Sequence, residues 1–205
     1  MVTYIDMPKL ESPFVRVQQG KRYVVTPQVA DGFEWVFADD AVVATEKLDG
    51  TNVSIVIENG HIVRVFNRTS QIDPWGPRSE ISDAVRDAVA RGRALLPDGQ
   101  WFGEVIGPKV QGNPYSLEEH QWVPFRTYCL HSLAYRTWGK YPKTFNAISE
   151  WFKDGLWSLL YMKHFGGAHR LAEGVVFHHP DGRMAKLRRD MFDWYTGRDH
   201  KEGLA

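Results

Sequence analysis

The sequence predicts a mixed α+β fold built on antiparallel sheets, and three observations predict it. Two hairpin signals stand between alternating apolar runs, Asn59-Gly60 and Pro180-Asp181-Gly182. Two stretches, residues 79–95 and 144–163, carry apolar residues at the three- and four-residue spacing of an amphipathic helix. Neither an internal repeat nor a low-complexity tract interrupts the chain.

Taken in order, residues 1–34 form a lead-in. Pro8, Pro13 and Pro27 punctuate short apolar stretches at Phe14-Val15-Arg16-Val17 and Tyr23-Val24-Val25, a pattern of loops and edge strands. Trp35-Val36-Phe37 and the run Ala41-Val42-Val43-Ala44 then deliver the chain to Glu46-Lys47-Leu48-Asp49-Gly50-Thr51-Asn52. Lys47 therefore follows one strand and precedes an Asp-Gly turn, beyond which Val53 to Ile57 resumes strand alternation. Half-burial at such a turn lowers a lysine's pKa and frees its lone pair, and a glycine lets backbone amides approach a phosphate. An ordinary surface turn in which Lys47 pairs with Asp49 explains the same residues.

Val53 to Ile57 and Ile62 to Phe66 flank Asn59-Gly60, and Arg68 follows the second strand. In the 79–95 helix Ile81, Val85, Ala88, Val89 and Leu95 form the apolar stripe, Ser79 or Ser82 caps its start, and Pro97-Asp98-Gly99 ends it. Trp101 to Gly107 reads as a strand with Glu104 inside it. A carboxylate in so apolar a run needs a partner, as a structural ion pair or as a site residue. Residues 108–124 read as a long loop and Tyr128 to Leu133 as a further strand. Gly155 breaks or kinks the 144–163 helix. Glu173-Gly174-Val175-Val176-Phe177-His178 and Met184 to Arg189 form the last hairpin, in which Lys186 and Arg188 share one face. Residues 193–205 read as a polar tail.

The bulk properties exclude several classes. Lys plus Arg and Asp plus Glu are both 25, for a net charge of zero, so a nucleic-acid partner has to be met by a local basic patch. The single cysteine, Cys129, excludes an internal disulfide and a cysteine-rich zinc site. It lies in an apolar segment and reads as a packing residue. His178-His179 lacks the spacing of a two-histidine metal site. With no membrane-length apolar run and no signal-peptide layout, the expectation is a soluble, cytoplasmic protein.

Lys47 with Asp49-Gly50, Arg68, Gly103-Glu104, Glu173-Gly174, and Lys186 with Arg188 follow one another in an order that resembles the covalent nucleotidyltransferases, the superfamily of polynucleotide ligases and capping enzymes. The fuller strings Glu46 to Asn52, Phe102 to Pro108 and Glu173 to Val176 are most similar to the ATP-dependent RNA ligase family, nearest its nick-sealing branch, across residues 35–192. The resemblance implies a nucleotidyltransferase (ATP-grasp-like) catalytic domain, one domain over residues 1–205, with antiparallel sheets lining an ATP cleft. It implies ATP and Mg²⁺ or Mn²⁺ as cofactors and RNA with 5′-phosphate and 3′-hydroxyl ends, nicked or duplex, as substrate, with RNA repair as the usual task. A compact ligase of this kind suits a bacterium or a phage-infected cell.

By that resemblance Lys47 is the nucleophile that forms lysyl-AMP, and Asp49 orients or tunes it. Glu46 contacts the adenine amino group, and Gly50 and Asn52 belong to the same nucleotide-binding motif. Arg68 grips the nucleotide and the 5′-phosphate end, Glu104 holds the ribose hydroxyls, and Glu173 organises the metal. Lys186 and Arg188 contact the α-phosphate, although the second position is usually lysine and an arginine changes its shape. Tyr128 is the candidate for the aromatic that stacks on the base, and core packing explains it equally well. The OB-fold or helical domain that follows in most relatives has no counterpart in the sequence. Either basic residues such as Arg78, Lys109, Lys163, Arg170 and Arg189 serve as the RNA surface, or a partner supplies end recognition. Two competing readings are a capping-type guanylyltransferase and a non-catalytic nucleic-acid-binding module derived from a ligase.

Overall fold

The protein is described by a computed structural model covering residues 4–197 apart from 74, 78, 93, 94 and 141. In chain order the elements are β1 (Phe14–Gln19), β2 (Arg22–Val29), the short helix α1 (Trp35–Ala38), β3 (Val43–Lys47), β4 (Thr51–Glu58), β5 (His61–Asn67) and β6 (Ser70–Ile72). There follow α2 (Glu80–Ala90), β7 (Gly99–Ile106), β8 (Gln121–Pro124), a π-helical turn (Phe125–Cys129) and α3 (Leu130–Ser132). The chain closes with α4 (Phe145–Asp154), α5 (Leu159–His164), β9 (Gly174–His178) and β10 (Met184–Arg188). It divides into two compact units, Met1–Lys9 with Asp49–Cys129 and Leu10–Leu48 with Leu130–Ala205.

The first unit is an antiparallel sheet of order β6-β5-β4-β7-β8. Alternation along β4 sends Val53, Ile55 and Ile57 to one face, where Val65, Val105, Trp122 and the Ala84, Val85 and Ala88 stripe of α2 complete a core. Asn59 and Gly60 turn the β4–β5 hairpin at φ 53° and 75°, and both backbone amides donate to the Asp98 carboxylate at 2.8 and 3.0 Å. Ser79 caps α2, and Ser82 returns the bond to the Ser79 amide. The helix stops at Ala90 because Gly92 turns the chain into the left-handed region at φ 67°. The expected stripe therefore overran: Val89 is 43% and Leu95 85% exposed. Residues 4–6 join this unit, with the Gln100 side chain bonded to both the amide and the carbonyl of Ile5.

The second unit holds the β1–β2 hairpin and a sheet of order β10-β9-β3. Its core is aromatic, with Trp138, Trp151, Phe152, Phe177 and Phe192 buried together; the Trp138 and Phe177 rings lie 4.8 Å apart. Helix α4 ends at Gly155 and α5 begins anew behind the Ser158 cap, so the expected break is real. Arg189 is 2% exposed and donates to the Phe152 and Lys153 carbonyls at 2.7 and 3.2 Å, capping the end of α4. It is a structural cation, and the expectation that it offers RNA a surface is corrected. Trp194 is tied back through its indole nitrogen to Ser149 Oγ at 2.8 Å. The rest of the expected tail, 198–205, and Arg78 lie outside the described residues.

Two further expectations are corrected. The strand that follows the long loop is β8, inside the stretch read as loop, and residues 125–132 are helical turns. Tyr128 is therefore on a π-helical turn, half-buried, and no strand presents it. The apolar run there buries Cys129 and Leu133, which a helical turn achieves as well as a strand does.

Candidate active site

In the second unit β9 is the middle strand, and its register places the chemistry. Lys47 on β3 is paired with Gly174, which is paired on its other side with Arg188 of β10. Thr45, Val176 and Lys186 form the next row on the same face. Glu46, Val175 and Leu187 form the row between, on the opposite face, where Val175 and Leu187 are core residues. Alternation thus gathers Lys47, Lys186 and Arg188 on one face of a three-stranded sheet, from positions 141 residues apart in the chain.

Gly174 puts no side chain on that face, and the backbone of β10 fills the place of one. A Cβ there would lie 2.3 Å from the Leu187 carbonyl oxygen, so β10 packs against bare backbone. Next to Gly174, Glu173 reaches both Lys47 and Arg188. Lys47 Nζ donates to Glu173 Oε2 at 2.5 Å, and Arg188 Nη1 lies 3.6 Å from Oε1. Arg188 also pairs with Asp190 at 2.8 Å. Burial, then the positive charges of Arg188 and Lys47, lower the pKa of Lys186. The cluster is a half-buried strip of three cations paired with two carboxylates, Glu173 and Asp190, and keeps an excess positive charge that an anionic phosphate can meet.

Glu46 is turned away from this strip. It is 2% exposed; one oxygen accepts from Ser158 Oγ at 2.6 Å and the other from the Leu160 amide at 2.9 Å. Burial raises its carboxyl to about 7 against the pull of those two donors. Both oxygens are committed to the start of α5, so this placement lends no support to the expected contact with an adenine amino group. The other edge of β3 is held by residues 133–135, through Glu46 N to Leu133 O and Tyr135 N to Ala44 O, both 2.8 Å. No motif marked that segment.

The first unit brings together a different set. Asn52 and Glu104 are register partners on β4 and β7, on the face opposite the core. Glu104 is 9% exposed. Gly50 packs where a Cβ would meet the Val105 carbonyl oxygen at 2.3 Å, so close approach to β7 demands the glycine. The Asp49 amide donates to the hydroxyl of buried Tyr115 at 2.8 Å, and Gln111 Nε2 reaches the Gly50 carbonyl at 3.4 Å. Tyr115 is a positioning residue that the sequence showed only as part of a loop. Arg68 turns the β5–β6 hairpin at φ 53°, with its side chain 68% exposed and 4.0 Å from Asp6.

For the metal, the residues fit a particular class. Among the described residues no group of three or more His, Cys, Asp or Glu side chains is placed to hold an ion. Glu173 supplies hard carboxylate oxygen amid cations, which suits an ion held chiefly by substrate phosphates and water.

Comparison with known proteins adds the relatives. The sequence model of the RNA ligase family matches residues 40–192. None of the curated proteins matches. Among solved structures, a ligand-free variant of a Naegleria gruberi RNA ligase superposes with a TM-score of 0.50 at 16% identity, covering 92% of this chain and 57% of that one. Another variant of a Naegleria gruberi RNA ligase, with ATP and Mn, gives 0.50 and 16%, covering 87% and 59%. The likeness is one of fold, an α+β module with antiparallel sheets, and the chain spans less than two thirds of either relative.

Proposed function

Because the chain belongs to the RNA ligase family, we propose that it is an ATP-dependent RNA ligase acting through Lys47. The observation that carries this reading is the row Lys47, Gly174, Arg188 with Glu173 bridging its two cations. In the first step the Lys47 amine attacks the α-phosphorus of ATP, the bond to the β-phosphate oxygen breaks, and pyrophosphate leaves. The product is lysyl-AMP, and the ammonium proton must be given up. Glu173, at 2.5 Å, is the group in position to take it. Lys186 and Arg188 offset the charge that develops on the phosphates. The AMP then passes to an RNA 5′-phosphate, and a 3′-hydroxyl displaces it to close the phosphodiester.

A divalent cation, Mg²⁺ or Mn²⁺, would be held at Glu173 and would add electrostatic neutralisation of the triphosphate. Asn52, Arg68 and Glu104 are assigned to nucleotide and RNA-end binding by resemblance. Base choice is open to measurement, because Glu46 is committed elsewhere.

Intact mass after incubation with ATP and Mg²⁺, or with GTP in parallel, tests the reading. The wild type is expected to gain one AMP and Lys47→Ala none. A GMP adduct would favour a capping-type guanylyltransferase. No adduct from either nucleotide, with RNA still bound, would favour a non-catalytic module.

A further inference from the structure

A second feature of the Lys47-bearing unit has no part in that chemistry. A cavity of about 520 Å³ opens beside the segment that edges β3, walled by His131, Arg136, Leu159, Met162, Lys163 and Gly167. No carboxylate lines it among the described residues. The sequence around it is depleted of acid: there is no Asp or Glu between Leu130 and Ser149, nor between Gly155 and Ala172. From Lys163 to His169 the chain is exposed throughout, turning at Gly166 and Gly167 with φ 60° and 95°. Lys163 opens that run and part-exposed Arg170 follows it, with the rings of His164, Phe165 and His169 between them. Phe165 is 44% exposed and packs against Tyr161 with ring centroids 4.6 Å apart, His169 lies 4.9 Å from the Trp157 ring, and the Arg170 guanidinium stands 4.5 Å over Tyr161.

A protein of zero net charge has little long-range attraction for a polyanion, so binding has to come from such a local patch. Cations spaced among exposed rings meet both needs of an unpaired strand, neutralised phosphates and a surface for base stacking. We propose that this face binds the phosphodiester strand of the RNA substrate, with Arg136 and Lys163 on its phosphates and Phe165 and His169 as stacking surfaces. The inference rests on the reading of the chain as an RNA ligase and adds where the strand runs. It also selects among the basic residues of the sequence, retaining Lys163 and Arg170 while Arg189 is spent on α4. The strand surface and the nucleophile are linked within one unit. Glu46, adjacent to Lys47, is bonded to Leu160, one helical turn before Lys163.

The test uses the full chain and a short single-stranded, 5′-phosphorylated RNA, with affinity read by fluorescence anisotropy over a salt series. The double variant Arg136→Glu with Lys163→Glu should weaken binding at least about tenfold and flatten the slope of log affinity against log salt by about 1.4, two phosphate contacts at ~0.7 each. Arg136→Gln with Lys163→Gln, gentler on the fold beside Glu46, should flatten the slope by the same amount. Phe165→Ala should lower affinity about fivefold or more with the slope unchanged. Folded variants that bind RNA with wild-type affinity and slope would overturn the proposal. The ATP-only mass adduct reports separately on the ligase reading. If the wild type forms none while RNA binding still depends on Arg136 and Lys163, the ligase reading fails and this surface stands.

Discussion

Glu173 and Glu46 are two carboxylates flanking the same three strands, and their surroundings give them opposite tasks. Glu173 stands just before β9 between Lys47 and Arg188, with its side chain 15% exposed. The side chains of its ion pair with Lys47 are only 21% and 15% exposed, so the pair is screened less than a surface pair is. Glu173→Gln keeps the side chain's shape and one acceptor oxygen for Lys47, and is expected to slow lysyl-AMP formation by about 10²-fold or more. Single-turnover adduct kinetics beside a thermal melt would check it; a large loss of stability with normal kinetics would make Glu173 structural. Glu46 is enclosed, and the raised carboxyl gives a signed expectation. A folded-state pKa near 7, above the usual 4.5, means that its contribution is fully present below about pH 4.5 and is lost as pH rises toward 7. Glu46→Gln keeps one acceptor for the Leu160 amide and exchanges roles with the Ser158 hydroxyl. It should remove that loss, and urea unfolding at pH 5 and pH 7.5 would show a smaller difference than in the wild type.

At the scale of elements, the β9–β10 hairpin governs whether the cations converge. Register alone sets Arg188 opposite Gly174 and Lys186 opposite Val176, so a one-residue slip would exchange the site face for the core face. Gly174→Ala forces a methyl group against the Leu187 carbonyl, a backbone atom that cannot rotate aside. The expected outcome is a loss of about 1–3 kcal/mol together with adduct formation. A variant that melts and adenylylates as the wild type does would show that β10 can shift freely. Elements also account for the misread stretch after β8. Residues 125–133 carry enough apolar side chains to bury one face in either conformation, and a short apolar run does not distinguish period two from period 3.6. What decides there is tertiary: residues 133–135 lie along β3, and the chain reaches that edge through helical turns.

Across the whole molecule the titrating groups combine into one profile. His179 is held between Asp39 and Asp181 at 2.8 and 2.7 Å, which raises its pKa above 6.5, so its contribution is lost as pH climbs through the raised value. Asp39, Asp98 and Asp181 are lowered, chiefly by backbone hydrogen bonds. Their contributions are present above about 3.8 and are lost as pH falls through the lowered values. With Glu46 these signs place the greatest stability on the acid side of neutrality, with the Asp39–His179–Asp181 contacts screened by solvent and therefore small. Melting temperature measured from pH 3 to pH 9 is expected to decline on both sides of that region.

The sequence by itself determined the family, the antiparallel hairpins and the residues of the strip. Asn59-Gly60 and Pro180-Asp181-Gly182 dictate their turns locally, and alternation alone puts Lys186 and Arg188 on one face. Only the tertiary structure decided that β3 and β4, separated by the three residues Leu48, Asp49 and Gly50, belong to different sheets and different units. It alone turned Glu46 into a buried anchor of α5, committed Arg189 to the carbonyls of α4, and gathered Arg136 and Lys163 around one cavity. The reason is physical. Turn chemistry and periodicity act between neighbours in the chain, whereas burial, and with it the protonation and the task of a charged side chain, depends on which distant segments pack around it.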